Sequence, residues 1–174
     1  SVSGALYIFF AATYFELPEH ASIALLFYFL ASFLAMPMWM KLAYKVGKDN
    51  ALIIALIYAV SLNLIVIPLA GPGNVIVLWL FTITYGVAYG AAPTLLRSMI
   101  ADLTDEDELK TGEKRSGLFF ALYTTTGKLG GALGVGLSFG ILDLVFDFQP
   151  GAVNSAAALD GLLYTYTLGF ALPM

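Results

Sequence analysis

The sequence predicts an all-α integral membrane protein, and two observations support that fold class. Of 174 residues, 60% are hydrophobic and 11% are charged, whereas a soluble domain carries about 25% charged residues. So few charged side chains cannot cover the surface of a water-exposed domain of this size. The apolar residues also form runs of roughly 20, which is the length that a helix needs to cross a bilayer.

These runs predict six membrane-spanning helices. A turn cluster at residues 68–74, rich in Pro and Gly, divides one long uncharged stretch into two spans. The two outermost apolar segments are too short to cross alone. We therefore interpret them as truncated helices and the chain as a fragment of a longer polypeptide. The predicted spans are residues 2–15, 21–40, 51–69, 75–96, 116–142 and 161–174.

The basic residues predict the orientation of the spans. Seven of the eight Lys and Arg residues lie in two alternate connections, residues 41–50 and 97–115. By the positive-inside rule, both connections face the cytoplasm, in a multi-pass protein of the cell membrane. The eighth basic residue, Lys128, lies inside the fifth span.

The composition also excludes several kinds of site. The chain has no Cys and one His, His20, which excludes disulfides, thiol catalysis and a metal site built from His or Cys. Its net charge of −4 offers no basic surface for nucleic acid. An intramembrane enzyme would need paired carboxylates, a His cluster or an activated Ser within the spans, and we find none. We predict no metal site and no tightly bound cofactor.

Lys128 is the strongest candidate for a functional residue. It lies 12 residues after Ser116, which is about 18 Å into the span and near the bilayer midplane. A Lys at that depth costs roughly 2.5–3.5 kcal/mol on insertion, so it needs a polar cavity or a carboxylate partner. Thr124 shares its helix face. The alternative is a structural ion pair between helices.

Two tyrosines of the fourth span are further candidates for a binding cavity. Tyr85 and Tyr89 lie one helical turn apart and would stack on the ring of a solute. Ordinary packing between helices is the alternative interpretation.

Glycine is concentrated on two spans, where it recurs every four residues. Such small-xxx-small pairs allow close approach of neighbouring helices. Helix packing is the favoured interpretation, and bending during transport is the alternative. The pairs are Gly86/Gly90, followed by Pro93, and then Gly127/Gly131, Gly130/Gly134 and Gly136/Gly140.

The connection from Pro37 to Asp49 has two interpretations. It is either a basic anchor with Trp39 in the interfacial aromatic belt, or a gating loop in which Lys45 and Asp49 form ion pairs across the cytoplasmic face. Its spacing resembles the loop motif of the major facilitator superfamily.

A longer pattern strengthens this resemblance. An acidic loop with a Lys-Thr-Gly sequence is followed by a Lys and two glycines inside the next helix. This combination resembles the glycoside–pentoside–hexuronide:cation symporters, the melibiose-carrier branch of the major facilitator superfamily. The matching positions are Ala101, Asp102, Asp105, Glu108, Lys110, Thr111, Gly112, Arg115, Gly117 and Lys128.

The resemblance implies that the chain is the C-terminal six-helix half, helices 7 to 12, of a twelve-helix carrier that works by alternating access. It implies that Lys128 lies close to the cation and sugar sites, and that Asp102, Asp105 and Arg115 belong to a cytoplasmic gate. The expected partners are the N-terminal half of the carrier, the lipid bilayer, a sugar or glycoside-like solute, and Na⁺ or H⁺ as coupling ion. The alternative is an accessory or structural membrane subunit that transports nothing.

Overall fold

The structure, a computed structural model, describes residues 6–7, 9–69, 71–149 and 154–171, without the side chains of residues 66–67 and 167–171. Within these ranges all the regular structure is helical, and four helical segments are long and apolar enough to cross a membrane. The predicted all-α membrane class is therefore confirmed. The first predicted span, residues 2–15, and the last, residues 161–174, lie partly outside the described residues.

In the described part of the chain, six α-helices follow a short π-helical turn, Phe10–Tyr14. We number them α1, Pro18–Val46; α2, Lys48–Leu69; α3, Val75–Tyr89; α4, Ala91–Thr111; α5, Ser116–Phe146; and α6, Ala156–Ala171.

The helices extend well beyond the predicted spans, so most residues of the predicted connections 41–50 and 97–115 are helical. Only Gly47 separates α1 from α2, and the turn after α4 consists of residues 112–115. Eight of the 15 residues from 97 to 111 are Ala, Leu, Met, Glu, Lys or Arg, which favour the helix whether or not lipid surrounds them. Apolar runs predict which residues lie in lipid. They do not predict where a helix ends, because α1 and α4 continue beyond their apolar residues.

Glycine ends both of these extended helices. Gly47 has φ 89° and ψ 154°, a backbone conformation that is essentially restricted to glycine, and its N–H donates to the carbonyl of Ala43 at 2.9 Å. Gly112 has φ 72° and donates to the carbonyl of Glu108 at 2.8 Å. Each glycine binds a carbonyl that the helix end leaves without an intrahelical partner.

Helices α1 and α3 pack backbone against backbone. A Cβ atom added at Gly86 would lie 2.3 Å from the carbonyl oxygen of Tyr28, and one added at Gly90 would lie 2.4 Å from that of Ser32. For this glycine pair, the predicted role in close packing is confirmed.

The buried apolar side chains of the described residues form two separate clusters. The larger, which we call the aromatic cluster, joins the N-terminal segment to α1, α2, α3, α5 and α6. Its core residues are Leu6, Tyr7, Phe10, Ala11, Phe15, Ala21, Ala24, Tyr28, Ala59, Leu78, Phe81, Tyr85, Ala88, Leu142, Phe148, Ala158, Leu162, Leu163 and Tyr166. The smaller, which we call the alanine cluster, joins α1, α2 and α4. It consists of Ala35, Trp39, Ala43, Ala51, Ala55, Ala91 and Leu95.

Helix α5 takes little part in either cluster. Only Ser138 and Leu142 are buried along its length. A Cβ atom added at Gly127, Gly130 or Gly131 would meet no atom within 4 Å, so most of this helix presents an uncovered surface.

Candidate functional site

Lys128 and Thr124 lie on the uncovered part of α5, and both are exposed. Lys128 forms no ion pair or hydrogen bond with any residue in the described ranges. A Lys at this depth requires a polar cavity or a carboxylate partner, and the described residues supply neither. The ammonium group thus stands on an apolar helix, next to glycines that leave space around it.

The two candidate tyrosines lie elsewhere. Tyr85 is completely buried in the aromatic cluster, where its hydroxyl donates to Oδ1 of Asn63 on α2. Tyr89 is half-buried, with its ring 5.4 Å from that of Tyr28. Because Tyr85 faces the interior of the bundle and Lys128 faces outward, the structure does not bring them into one site.

The aromatic cluster contains a second buried polar contact and two unpaired hydroxyls. Tyr7 and Thr82 share a hydrogen bond of 2.7 Å. The hydroxyls of Tyr28 and Tyr166 are buried without a hydrogen-bond partner in the described structure. Rings pack closely here, as shown by a centroid distance of 4.0 Å between Phe81 and Tyr85, so the cluster is filled by its own side chains.

The predicted gate residue Asp102 forms an ion pair with Lys48. Its carboxylate accepts from the Lys48 ammonium at 2.5 Å, and the same ammonium donates to the carbonyl oxygen of Ser98 at 3.1 Å. The Lys48 side chain is 23% exposed and that of Asp102 is 65% exposed. The pair joins the start of α2 to the middle of α4.

The predicted gate residue Arg115 bonds to a different carboxylate, that of Asp107. Its Nε and Nη2 atoms donate to the two carboxylate oxygens at 3.0 and 2.8 Å, a two-point geometry that fixes the guanidinium plane. The contact closes the turn between α4 and α5. Asp105, Lys45 and Asp49 are exposed, and none of the three forms an ion pair within the residues described. The gate function of all five remains a prediction.

The sequence analysis missed two of these partners, Lys48 and Asp107. Lys48 is the first residue of α2, where a positive charge opposes the helix dipole. The sequence analysis began this helix at residue 51, so the unfavourable position of Lys48 became apparent only in the structure. Asp107 gave no signal in the sequence, because its contact with Arg115 depends on how the turn at Gly112 directs the chain.

The expectation that Trp39 lies in an interfacial belt was wrong. The side chain is 4% exposed, and its indole Nε1 donates to the carbonyl oxygen of Val87 at 2.8 Å. Val87 is in the last turn of α3, where carbonyl groups lack intrahelical partners. Trp39 is therefore a buried contact between α1 and α3.

No group of three or more His, Asp or Glu residues that could hold a metal ion occurs among the residues described.

Comparison with known proteins gives one family and several relatives. A family model described as MFS/sugar transport protein matches residues 1–172. An uncharacterised symporter of Synechocystis is 42% identical over 67 residues, which cover 38% of this chain and 12% of that protein. No solved structure matches the chain significantly.

Two vertebrate proteins also match. The sodium-dependent lysophosphatidylcholine symporter 1-A of Danio rerio is 28% identical over 116 residues, covering 66% of this chain and 21% of that protein. The sodium-dependent lysophosphatidylcholine symporter 1 of Gallus gallus is 29% identical over 136 residues, covering 72% and 25%. The aligned part thus spans at most a quarter of the length of these relatives.

Proposed function

Because this chain belongs to the MFS/sugar transport protein family, we propose that it is the C-terminal six-helix half of a cation-coupled secondary transporter. The family is one of transport proteins rather than enzymes, as the sequence predicted. Two six-helix halves would enclose a solute site near the bilayer midplane and expose it to each side of the membrane in turn.

The observation that carries this proposal is the position of Lys128. An ammonium group in the middle of an apolar helix is costly, and the residues described supply no carboxylate to offset the cost. Gly127 and Gly131 flank it and leave open space, which is the surface that closely approaching helices need. The N-terminal half of the same carrier is the partner that would cover this face and supply the cation-binding carboxylates.

The orientation follows from the same proposal. Lys48 and Arg115 lie at the turns that begin α2 and α5, and most other basic residues lie near these turns. By the positive-inside rule, we propose that both turns face the cytoplasm and that the protein resides in the plasma or inner membrane.

Two solute classes have support. The family description favours a sugar or glycoside. The names of the relatives from Danio rerio and Gallus gallus instead favour a lysophospholipid, with Na⁺ as the coupling ion. We propose the sugar or glycoside, because the family model covers nearly the whole chain whereas those alignments cover two thirds to three quarters of it.

The test is uptake by the full-length carrier in liposomes. A labelled glycoside and labelled lysophosphatidylcholine are supplied separately, under an inward Na⁺ gradient, an inward H⁺ gradient or no gradient. We expect gradient-driven glycoside uptake in the parent and none in Lys128→Ala. The control is Lys114→Ala, whose side chain is 84% exposed and which we expect to match the parent.

Three outcomes would contradict parts of the proposal. Equal uptake by Lys128→Ala and the parent removes the assigned role of Lys128. Uptake of lysophosphatidylcholine alone would show that the solute is a lysophospholipid rather than a sugar or glycoside. Uptake of neither solute, by a correctly inserted protein, favours the accessory membrane subunit.

A further inference from the structure

Seven basic residues lie outside the predicted apolar spans, and they divide into two groups. Four of them form ion pairs with carboxylates: Lys48 with Asp102, Lys110 with Glu106, Lys114 with Glu108, and Arg115 with Asp107. The other three, Lys41, Lys45 and Arg97, are exposed and form no ion pair with any described residue. The described carboxylates therefore leave this second group without a partner.

Lys41 and Lys45 lie one turn apart on the same face of α1. The opposite face, with Trp39 and Ala43, is buried in the alanine cluster, so both lysines point away from the bundle. Like charges four residues apart on a helix repel each other. Asp49, the acidic residue nearest to them in sequence, forms no ion pair with either. An anion between the two ammonium groups would offset this repulsion.

The two lysines continue a row of exposed apolar side chains, which we call the apolar stripe. Its members, Leu30, Leu34 and Met38, are 47%, 63% and 49% exposed. They lie four residues apart, and Lys41 follows Met38 by three, so all of them share one face of α1. Leu30 lies about 16 Å from Lys41 along the helix axis, which is about half the hydrocarbon thickness of a bilayer. The apolar stripe thus has the depth of one lipid leaflet and ends in positive charge.

Tyr44 lies at the same end of the apolar stripe and is 78% exposed. It follows Lys41 by three residues, so it lies beside the lysines on this face. Tyrosine is enriched at the level of lipid headgroups, where its ring contacts apolar groups and its hydroxyl binds polar ones. This set of side chains therefore matches the boundary between the acyl chain and the headgroup of a lipid.

We propose that Lys41, Lys45 and Tyr44 bind the headgroup of an anionic phospholipid, and that its acyl chain lies along the apolar stripe. The phosphate oxygens would accept charge-assisted hydrogen bonds from both ammonium groups. A lipid with a net negative charge fits better than a zwitterionic one, whose own cationic group would meet a lysine. The proposal needs only a membrane around α1 and does not rest on the proposed transport function.

The experiment is native mass spectrometry of the full-length protein in mild detergent, with lipids added in known amounts. Phosphatidylglycerol, which is anionic, is compared with phosphatidylcholine of the same acyl chains. The test variant combines Lys41→Gln with Lys45→Gln. We expect its affinity for phosphatidylglycerol at this site to fall about 30-fold, since each lysine near an anionic lipid contributes a factor of about five. Its affinity for phosphatidylcholine should stay unchanged.

The matched control combines Lys110→Gln with Lys114→Gln and removes the same charge near the turn between α4 and α5. Both of these side chains are exposed and pair with glutamates, so the control should bind phosphatidylglycerol as the parent does. A conservative variant, Lys41→Arg with Lys45→Arg, keeps both positive charges and should also bind like the parent.

Four results would overturn the proposal. Equal phosphatidylglycerol binding by the parent and the test variant would show that the lysines do not hold the lipid, as expected if the N-terminal half of the carrier covers this face of α1. An equal loss in the control would show that net charge alone sets the affinity. Equal affinity of the parent for phosphatidylcholine would remove the preference for an anionic lipid. Displacement of the lipid by inorganic phosphate would indicate a site for a small anion.

The lipid measurement is independent of transport, because it uses no transported solute. A protein that takes up neither glycoside nor lysophosphatidylcholine still binds phosphatidylglycerol if this inference is correct. Conversely, a working carrier whose test variant retains the lipid would leave the proposed function intact and remove the lipid site. The two proposals therefore fail separately.

Discussion

Helices α3 and α5 carry the same glycine spacing and use it differently. Gly86 on α3 and Gly90, which directly follows this helix, lie against the backbone of α1, so closely that no Cβ atom fits. On α5, Gly127 and Gly131 face open space. The same sequence pattern therefore marks a completed contact in one place and an uncovered surface in the other, and the sequence alone does not distinguish them.

The largest expected difference in stability between the two helices comes from truncating one leucine on each of them. Leu78 on α3 is completely buried, and Leu133 on α5 is 66% exposed. Leu78→Ala should lower the free energy of unfolding by about 2–5 kcal/mol, since it leaves a cavity. Leu133→Ala should change it by less than about 0.5 kcal/mol. Thermal unfolding in detergent, followed by Trp fluorescence, checks both; equal losses would mean that α5 is also packed.

A smaller loss of stability is expected when a methyl group is added to the face of α3 that packs against α1. Gly86→Ala forces a Cβ atom against the carbonyl oxygen of Tyr28, which is backbone and yields little. Overpacking of this kind costs about 1–3 kcal/mol. The same unfolding measurement checks it, and a variant as stable as the parent would show that α1 and α3 are less closely packed than the structure has them.

Two buried tyrosine hydroxyls of the aromatic cluster should differ in how much they contribute to the free energy of unfolding. Tyr85→Phe leaves the buried Oδ1 of Asn63 without the hydroxyl that donates to it, at a cost of about 1–2 kcal/mol. Tyr166→Phe removes a buried hydroxyl that has no hydrogen-bond partner among the described residues and should be neutral or stabilising. A comparable loss in Tyr166→Phe would mean that its hydroxyl does have a partner.

The smallest change in the free energy of unfolding, and one of opposite sign, is expected on the uncovered surface of α5. Gly127→Ala meets no atom and improves helix propensity, so the 174-residue chain should gain about 0.5–1 kcal/mol. If another six-helix half covers this face, the same substitution should instead reduce the stability of the longer protein. Comparing the two melting midpoints therefore tests whether α5 is uncovered only because its partner is absent.

The fold class was predictable because composition and the length of apolar runs are local properties of the sequence. The ends of the helices were not predictable in this way. The apolar run of α1 stops at about residue 40, whereas the helix continues to Val46. The partners of Asp102 and Arg115 were missed because the contacts depend on turns at Gly47 and Gly112. Trp39 was misplaced because the carbonyl that it binds is available only where α3 ends.

The turn at Gly47 also restricts how the two helices are oriented in the membrane. With one residue between them, α1 and α2 cannot take up independent orientations in the bilayer, so whatever orients α1 also orients α2. A side chain at Gly47 would strain a backbone that only glycine readily adopts, so it would weaken the connection through which the orientation of one helix determines that of the next.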